Sequence, residues 1–139
     1  MQGMEVLMHR FRRTLLPVWA AALCSTALWA GTPAEQLNAL AAQAGRSPNP
    51  AQGQQFFNAT HGREWSCASC HNALPTGDGK HASTGKAITA LAPAFNPERF
   101  TDPAKSEKWF RRNCKDVLAR ECTAAEKADV LAWLVSLKR

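Results

Sequence analysis

The run Cys67-Ala68-Ser69-Cys70-His71 constrains this chain more than any other feature. Two cysteines separated by two residues on a turn of helix can each form a thioether with one vinyl group of a single haem. The histidine that follows then sits beneath the iron as its proximal ligand. A fold built on this motif must close around a large planar group, and its own side chains supply only part of the core. A zinc half-site and a thioredoxin-like redox pair are the other chemistries of a CxxC. Zinc needs two more ligands at suitable spacing, and the sequence has no second CxxC and no HxxxH.

The first thirty of the 139 residues read as a targeting segment. Arg10, Arg12 and Arg13 form a positive stretch, the apolar run from Thr14 to Trp29 follows, and Ala30 offers a small residue for cleavage. The run is interrupted by Pro17 and is shorter than the roughly twenty residues of a membrane span. An uncleaved anchor and lipidation at Cys24 are the alternatives, the second weakened by the large Leu23 beside it. The expectation is a cleaved signal peptide over 1–30, a periplasmic location, and one domain over 31–139. Export supports the haem reading, because bacteria attach this cofactor outside the cytoplasm.

An oxidising compartment also changes the reading of Cys114 and Cys122, eight residues apart. They are expected to form a disulfide, worth about 2 to 3 kcal/mol by loop closure; two free thiols are the alternative. The whole chain has 17 basic and 11 acidic residues, and removing the three basic and one acidic residue of 1–30 leaves 14 and 10. This mild surplus lacks the interleaved aromatics of a nucleic-acid binder, so no nucleic-acid partner is expected. Arg99, Lys105, Lys108, Arg111, Arg112 and Lys115 cluster in sequence. They form either a solvated helix face, a docking surface for an acidic redox partner, or a site for haem propionates.

No segment shows convincing strand alternation, and the fold is expected to be all-α. Ala34 to Ala44 is an apolar helical lead-in, ended by the Ser47-Pro48-Asn49-Pro50 break. Ala51 to Thr60 reads as a short helix with Gly53 and Phe57 on one face. Residues 72–97 are rich in proline and glycine and read as loops around a cofactor. Asp102-Pro103 starts a helix expected to reach about Arg112. Thr123 and Glu126 form a capping box for the last helix, whose apolar stripe is Val130, Trp133, Leu134 and Leu137. This order resembles the class I cytochromes c, in which N- and C-terminal helices cross around one covalently bound haem. Gly53 and Phe57 would meet Val130 and Trp133 at that crossing, and the Ala92-Pro93 segment would offer a carbonyl to the His71 ring.

All three methionines, at positions 1, 4 and 8, fall inside the expected signal peptide. A His/Met cytochrome is thereby excluded for the mature chain. From the residues alone the sixth position is open to His61, His81, a lysine, Asn113 or no ligand. Asn113 is forty-two residues after His71, a span long enough to carry the chain round a haem edge. Its plainer reading is a residue at a helix C-terminus.

The segments Thr84-Gly85-Lys86, Leu91-Ala92-Pro93, Pro97-Glu98-Arg99-Phe100-Thr101-Asp102, Glu107-Lys108-Trp109, Arg112-Asn113-Cys114, Cys122-Thr123 and Glu126-Lys127-Ala128-Asp129 resemble the sphaeroides haem protein (SHP) family. The resemblance covers most of the mature chain and is densest after Thr84. It implies one haem c attached at Cys67 and Cys70, with His71 proximal and Asn113 as distal ligand in the ferric state. It also implies the Cys114–Cys122 disulfide. An amide oxygen is a hard, weak donor that suits ferric better than ferrous iron. Reduction would release it and free a site for oxygen, nitric oxide or carbon monoxide. Trp109, four residues before Asn113, would wall the distal pocket or serve as ordinary core. The expected function is one-electron transfer with redox-dependent gas binding, partnered by another c-type or membrane cytochrome. A plain carrier with a histidine or lysine sixth ligand, and a small reductase of a peroxide or nitrogen oxide, are the competing functions. No evident acid/base residue stands ready to cleave an O–O bond, which ranks catalysis lower.

Overall fold

The computed structural model describes residues 31–139; the signal-peptide expectation for 1–30 lies outside the described residues. Each helix begins where the sequence supplies a cap. Helix α1 (Pro33–Ala44) opens on a Thr32/Glu35 capping box with proline at its first position and ends at Gly45, whose φ of 65° needs glycine's freedom. Helix α2 (Pro50–Asn58) is capped by Asn49, and α3 (Ala68–His71) is the single turn of the CASCH motif. Helix α4 (Pro103–Leu118) starts on Asp102, and α5 (Ala124–Ser136) on the Thr123/Glu126 capping box.

Helix α5 is the centre of the molecule. Its residues from Lys127 to Leu134 are all buried, the mark of a helix covered on several sides. Helices α2 and α1 both pack on it. The α2–α5 crossing depends on Gly53: a Cβ there would overlap the Asp129 carbonyl and lie 2.7 Å from the Val130 nitrogen. Phe57, only 2% exposed, fills the crossing with its ring centroid 5.1 Å from that of Trp133. Val130 and Leu134 complete this core. The expected N- and C-terminal crossing is therefore present between α2 and α5.

Polar ties fix the connections. The buried Asp129 carboxylate accepts from both Arg46 guanidinium nitrogens at 3.0 and 2.6 Å and from the Asn49 N–H at 2.7 Å. Burial alone would raise its pKa, but these donors hold it below the usual carboxylate range. Lys127 donates to both Glu107 carboxylate oxygens at 2.7 and 2.8 Å, tying α5 to α4.

Three expectations need correction. Helix α1 is more than a lead-in: it packs along α5, and its buried Gln36 donates to the Phe100 carbonyl at 2.6 Å. Helix α4 passes the expected end at Arg112 and runs to Leu118, because no glycine or proline breaks it. It stops at Ala119 in a left-handed conformation, φ 59°. Asn113 is therefore a helix-interior residue, not a C-terminal one. The all-α expectation stands, although the loop carries a minimal antiparallel hairpin, β1 (Gly79–Lys80) with β2 (Ala87–Ile88). Strands of two residues are too short to show alternation.

Candidate haem site

The CASCH turn is built by short local bonds. The Cys67 carbonyl accepts from the Cys70 and His71 amides, at 3.3 and 3.1 Å. Ser66 and Ser69 exchange hydrogen bonds, the Ser66 amide to the Ser69 hydroxyl at 3.0 Å and the Ser69 amide to the Ser66 hydroxyl at 3.2 Å. Asn72 ends the turn with φ 66°. The hairpin then folds back beneath it. Gly79 lies so close that a Cβ would overlap the Cys70 carbonyl, and the Ala82 amide donates to the Cys70 sulfur at 3.2 Å.

Cys67, Cys70 and His71 form one wall of a cavity of about 570 Å³, within the roughly 300–1,000 Å³ of cofactor sites. Asn113, four residues short of the buried Val117 on α4, lies in the wall of the same cavity. The structure thus brings together the two residues expected on opposite sides of the iron. Phe100 and Phe110, with ring centroids 6.2 Å apart, contribute apolar surface beside Asn113, and Val130 and Leu134 line the cavity from α5. Phe100 adopts φ 58°, an unfavourable conformation for a bulky residue, and the Gln36 bond to its carbonyl holds it there.

The electrostatics favour a neutral ligand on the attachment side. Burial, helped by the charge of Arg99, pushes the His71 imidazole down to about 4, so its lone pair is available at neutral pH. The ring leans on Phe57, centroid to centroid 6.2 Å. Burial pushes the Cys67 thiol up to about 11. Arg99 is a cation in the cavity wall, anchored by its Nε to the Ala90 carbonyl at 3.0 Å and by one Nη to the Thr89 carbonyl at 2.8 Å. Its second Nη has no hydrogen-bond partner among the described residues and borders the cavity.

Trp109 lines the cavity and is also 44% exposed, so it stands at the rim and is not core. The Arg112 guanidinium lies over its ring at 5.6 Å. Cys114 and Cys122 form the expected disulfide, with Cα atoms 5.6 Å apart. His61 is exposed beyond the end of α2, donating from Nε2 to the Phe56 carbonyl at 2.9 Å, and is not part of the cavity wall. His81 does reach the wall, in the hairpin beside Cys70, with Nδ1 accepting from the Thr84 amide at 3.3 Å. In the Ala92-Pro93 segment, the Ala92 carbonyl accepts from the Phe95 and Asn96 amides at 3.0 and 3.1 Å, and the hydrogen bonds among the described residues include none from the His71 ring to this segment.

Phe100, and Gln36 that holds it, went unrecognised, while Arg99 was offered for propionates only as one of six clustered basic residues. Arg99 stood in the basic cluster, but nothing local marks a residue that bonds ten positions back or one that meets a helix sixty-four positions away.

The residues fit haem c. Two thiols and an imidazole converge on one wall, the remaining surface is mostly apolar, and Arg99 offers a cation for a propionate.

A family model described as a domain of unknown function, DUF1924, matches residues 43–134. The cytochrome c-type protein SHP of Cereibacter sphaeroides is 42% identical over 124 residues, covering 86% of this chain and 95% of its own. Cytochrome c'' of Methylophilus methylotrophus is 36% identical over 135 residues, covering 89% of this chain and 94% of its own. The solved structure of oxidized SHP, described as an oxygen-binding cytochrome c, matches with a TM-score of 0.72 at 41% identity, over 77% of this chain and 98% of that one. The solution structure of cytochrome c'', presented for insight into haem-ligand detachment, matches with a TM-score of 0.66 at 34% identity, over 77% of this chain and 94% of that one.

Proposed function

This chain belongs to the SHP family of c-type cytochromes and carries one covalently bound haem c, and from that premise we propose that it is a periplasmic one-electron carrier that binds a diatomic gas where Asn113 lets go on reduction. The observation that carries the reading is the shared cavity wall of His71 and Asn113, in a mature domain without methionine. An SHP described as oxygen-binding and a cytochrome c'' studied for ligand detachment both support it.

Haem c, when bound, supplies a one-electron couple and, in its ferrous state, affinity for small diatomic gases. Everything else falls to the chain. Cys67 and Cys70 attach the group, and neutral His71 orients it from one side. Asn113 presents a weak, uncharged oxygen whose hold does not depend on its own protonation. The disulfide at the neighbouring Cys114 limits how far Asn113 can travel, so it can return. Phe100 and Phe110 exclude water from the vacated side, while Trp109 and Arg112 border the opening. Arg99, anchored to the Thr89 and Ala90 carbonyls, would hold a propionate.

The test compares absorption and spin state of the ferric, ferrous and carbon monoxide-bound forms. The parent is expected to show a ferrous form that binds carbon monoxide readily. Asn113→Ala is expected to alter the ferric spectrum and to speed ferric azide binding by about tenfold or more, equivalent to about 1.4 kcal/mol of lost protection. His61→Ala and His81→Ala leave the ferric sixth ligand unchanged. A low-spin ferrous form indifferent to carbon monoxide, or a ferric ligand lost in His81→Ala, sinks the reading.

A further inference from the structure

Helix α1 buries a single side chain, and it is a glutamine. Gln36 is 7% exposed, while Leu37 and Leu40 on the same helix stay half-buried. Burying an amide in preference to a leucine costs free energy unless the amide is bonded. The Gln36 Nε2 donates to the Phe100 carbonyl at 2.6 Å, across sixty-four positions of sequence. An apolar residue at position 36 would serve the packing of α1 on α5 without needing any partner. The bond goes instead to a backbone that requires holding: Phe100 has a φ of 58°, a conformation its bulky side chain disfavours.

Phe100 leads from the loop into the Asp102 cap of α4, and it lines the haem cavity. Its ring meets Phe110, centroid to centroid 6.2 Å. Phe110 lies three residues before Asn113, on the same side of α4, and both line the cavity. The two rings therefore bound the space beside Asn113, and the Phe100 backbone fixes where one of them stands. Gln36 itself is not part of the cavity wall. Its influence on the site passes through one carbonyl.

We propose that Gln36 is a positioning residue that sets the size selectivity of the gas site. By holding Phe100 in its left-handed conformation it keeps that ring against Phe110, so the space on the Asn113 side admits diatomic ligands and refuses bulkier ones. Without the Nε2 donor, the Phe100 peptide relaxes toward ordinary backbone and carries the ring away from Phe110. The space vacated by Asn113 then widens. This rests on the reading above, that Asn113 withdraws from a ferrous haem, and adds what decides which ligand takes its place.

The test measures stopped-flow binding of carbon monoxide and of n-butyl isocyanide, a bulkier neutral ligand of ferrous haem, to the dithionite-reduced holoprotein. The readout is the ratio of the two rate constants. Gln36→Leu is expected to raise the isocyanide rate about tenfold relative to that of carbon monoxide. Phe100→Gly, which accepts the left-handed backbone without strain and removes the ring, should shift the ratio at least as far. Gln36→Leu added to Phe100→Gly should leave the ratio within about twofold of Phe100→Gly alone, since both act through one contact. Gln36→Asn, an amide one methylene too short for the carbonyl, shifts the ratio in the same direction and decides the matter if Gln36→Leu does not yield folded holoprotein. A parent-like ratio in the folded Gln36 variants overturns the proposal. So does an undiminished effect of Gln36→Leu in the Phe100→Gly background, which would make Gln36 a general anchor of α1. A parent that binds neither ligand overturns the gas-binding reading and this inference with it; a parent that binds carbon monoxide, with a ratio unmoved by the Gln36 variants, overturns this inference alone.

Discussion

Arg99 shows how much a single side chain can decide without touching the iron. Its guanidinium is fastened to the Thr89 and Ala90 carbonyls, and its charge reaches His71. A fixed cation this close penalises the extra positive charge of the ferric state. Arg99→Leu is therefore expected to lower the midpoint potential by roughly 59 mV, a tenfold change in the one-electron equilibrium, with Arg99→Lys retaining most of the parent value. Spectroelectrochemical titration checks this, and an unchanged potential in Arg99→Leu removes the residue from the site. The proposed attachment residues Cys67, Cys70 and His71 were legible from sequence because such a role works through contiguous spacing. Asn113 was not legible that way: spacing left it among several candidates, and only the resemblance singled it out. Arg99's bonds to the loop depend on how residues 89–99 fold back, which no pattern records.

Among the elements, the α2–α5 crossing governs whether the cavity has a floor. Gly53→Ala would set a methyl group against the Asp129 backbone and push the helices apart. The expected loss is about 2 to 3 kcal/mol in urea unfolding of the ferric holoprotein, with a shifted Soret band as Phe57 moves against His71. Wild-type stability in this variant would show that the crossing tolerates the spacing. Caps made two of these helices readable, Asp102 and Thr123 being helix starts in the sequence, and the structure adds Thr32 and Asn49 as caps of α1 and α2. Ends were harder. Ala119 closes α4 in a conformation usually given to glycine, so the sequence carried no stop signal there and the helix read six residues short.

On the scale of the whole molecule, stability is tied to ionised carboxylates. Asp129, held down by Arg46 and Asn49 against its burial, and Glu126, held down by Arg120, both have folded pKa values below their ordinary ones. Their contribution is complete above the unfolded value, near pH 4, and is lost as pH falls through the depressed folded values. Arg46→Met is expected to lower stability at pH 7 and to move the acid-unfolding midpoint upward, followed by circular dichroism. An unmoved midpoint would mean that Asp129 does not control acid stability. These ties join residues about eighty positions apart, as Gln36 joins α1 to Phe100, which is why α1 looked like a lead-in until it was placed in the fold.

Helix α4 has no extensive backbone packing on another helix among the described residues; it is fastened by its cap, its Lys127 pair and the disulfide, and roofs the cavity between them. A roof secured in this way fixes an order of assembly. Once it is closed, Phe110 and Asn113 of α4 line the same cavity as Cys67 and Cys70, and haem has to enter past them. Maturation therefore favours haem attachment first and oxidation of Cys114 and Cys122 second. Apoprotein prepared with that disulfide closed should accept haem more slowly than the Cys114→Ser, Cys122→Ser double variant, as followed by covalent haem staining over time; equal rates would mean that the closed fold still admits haem freely.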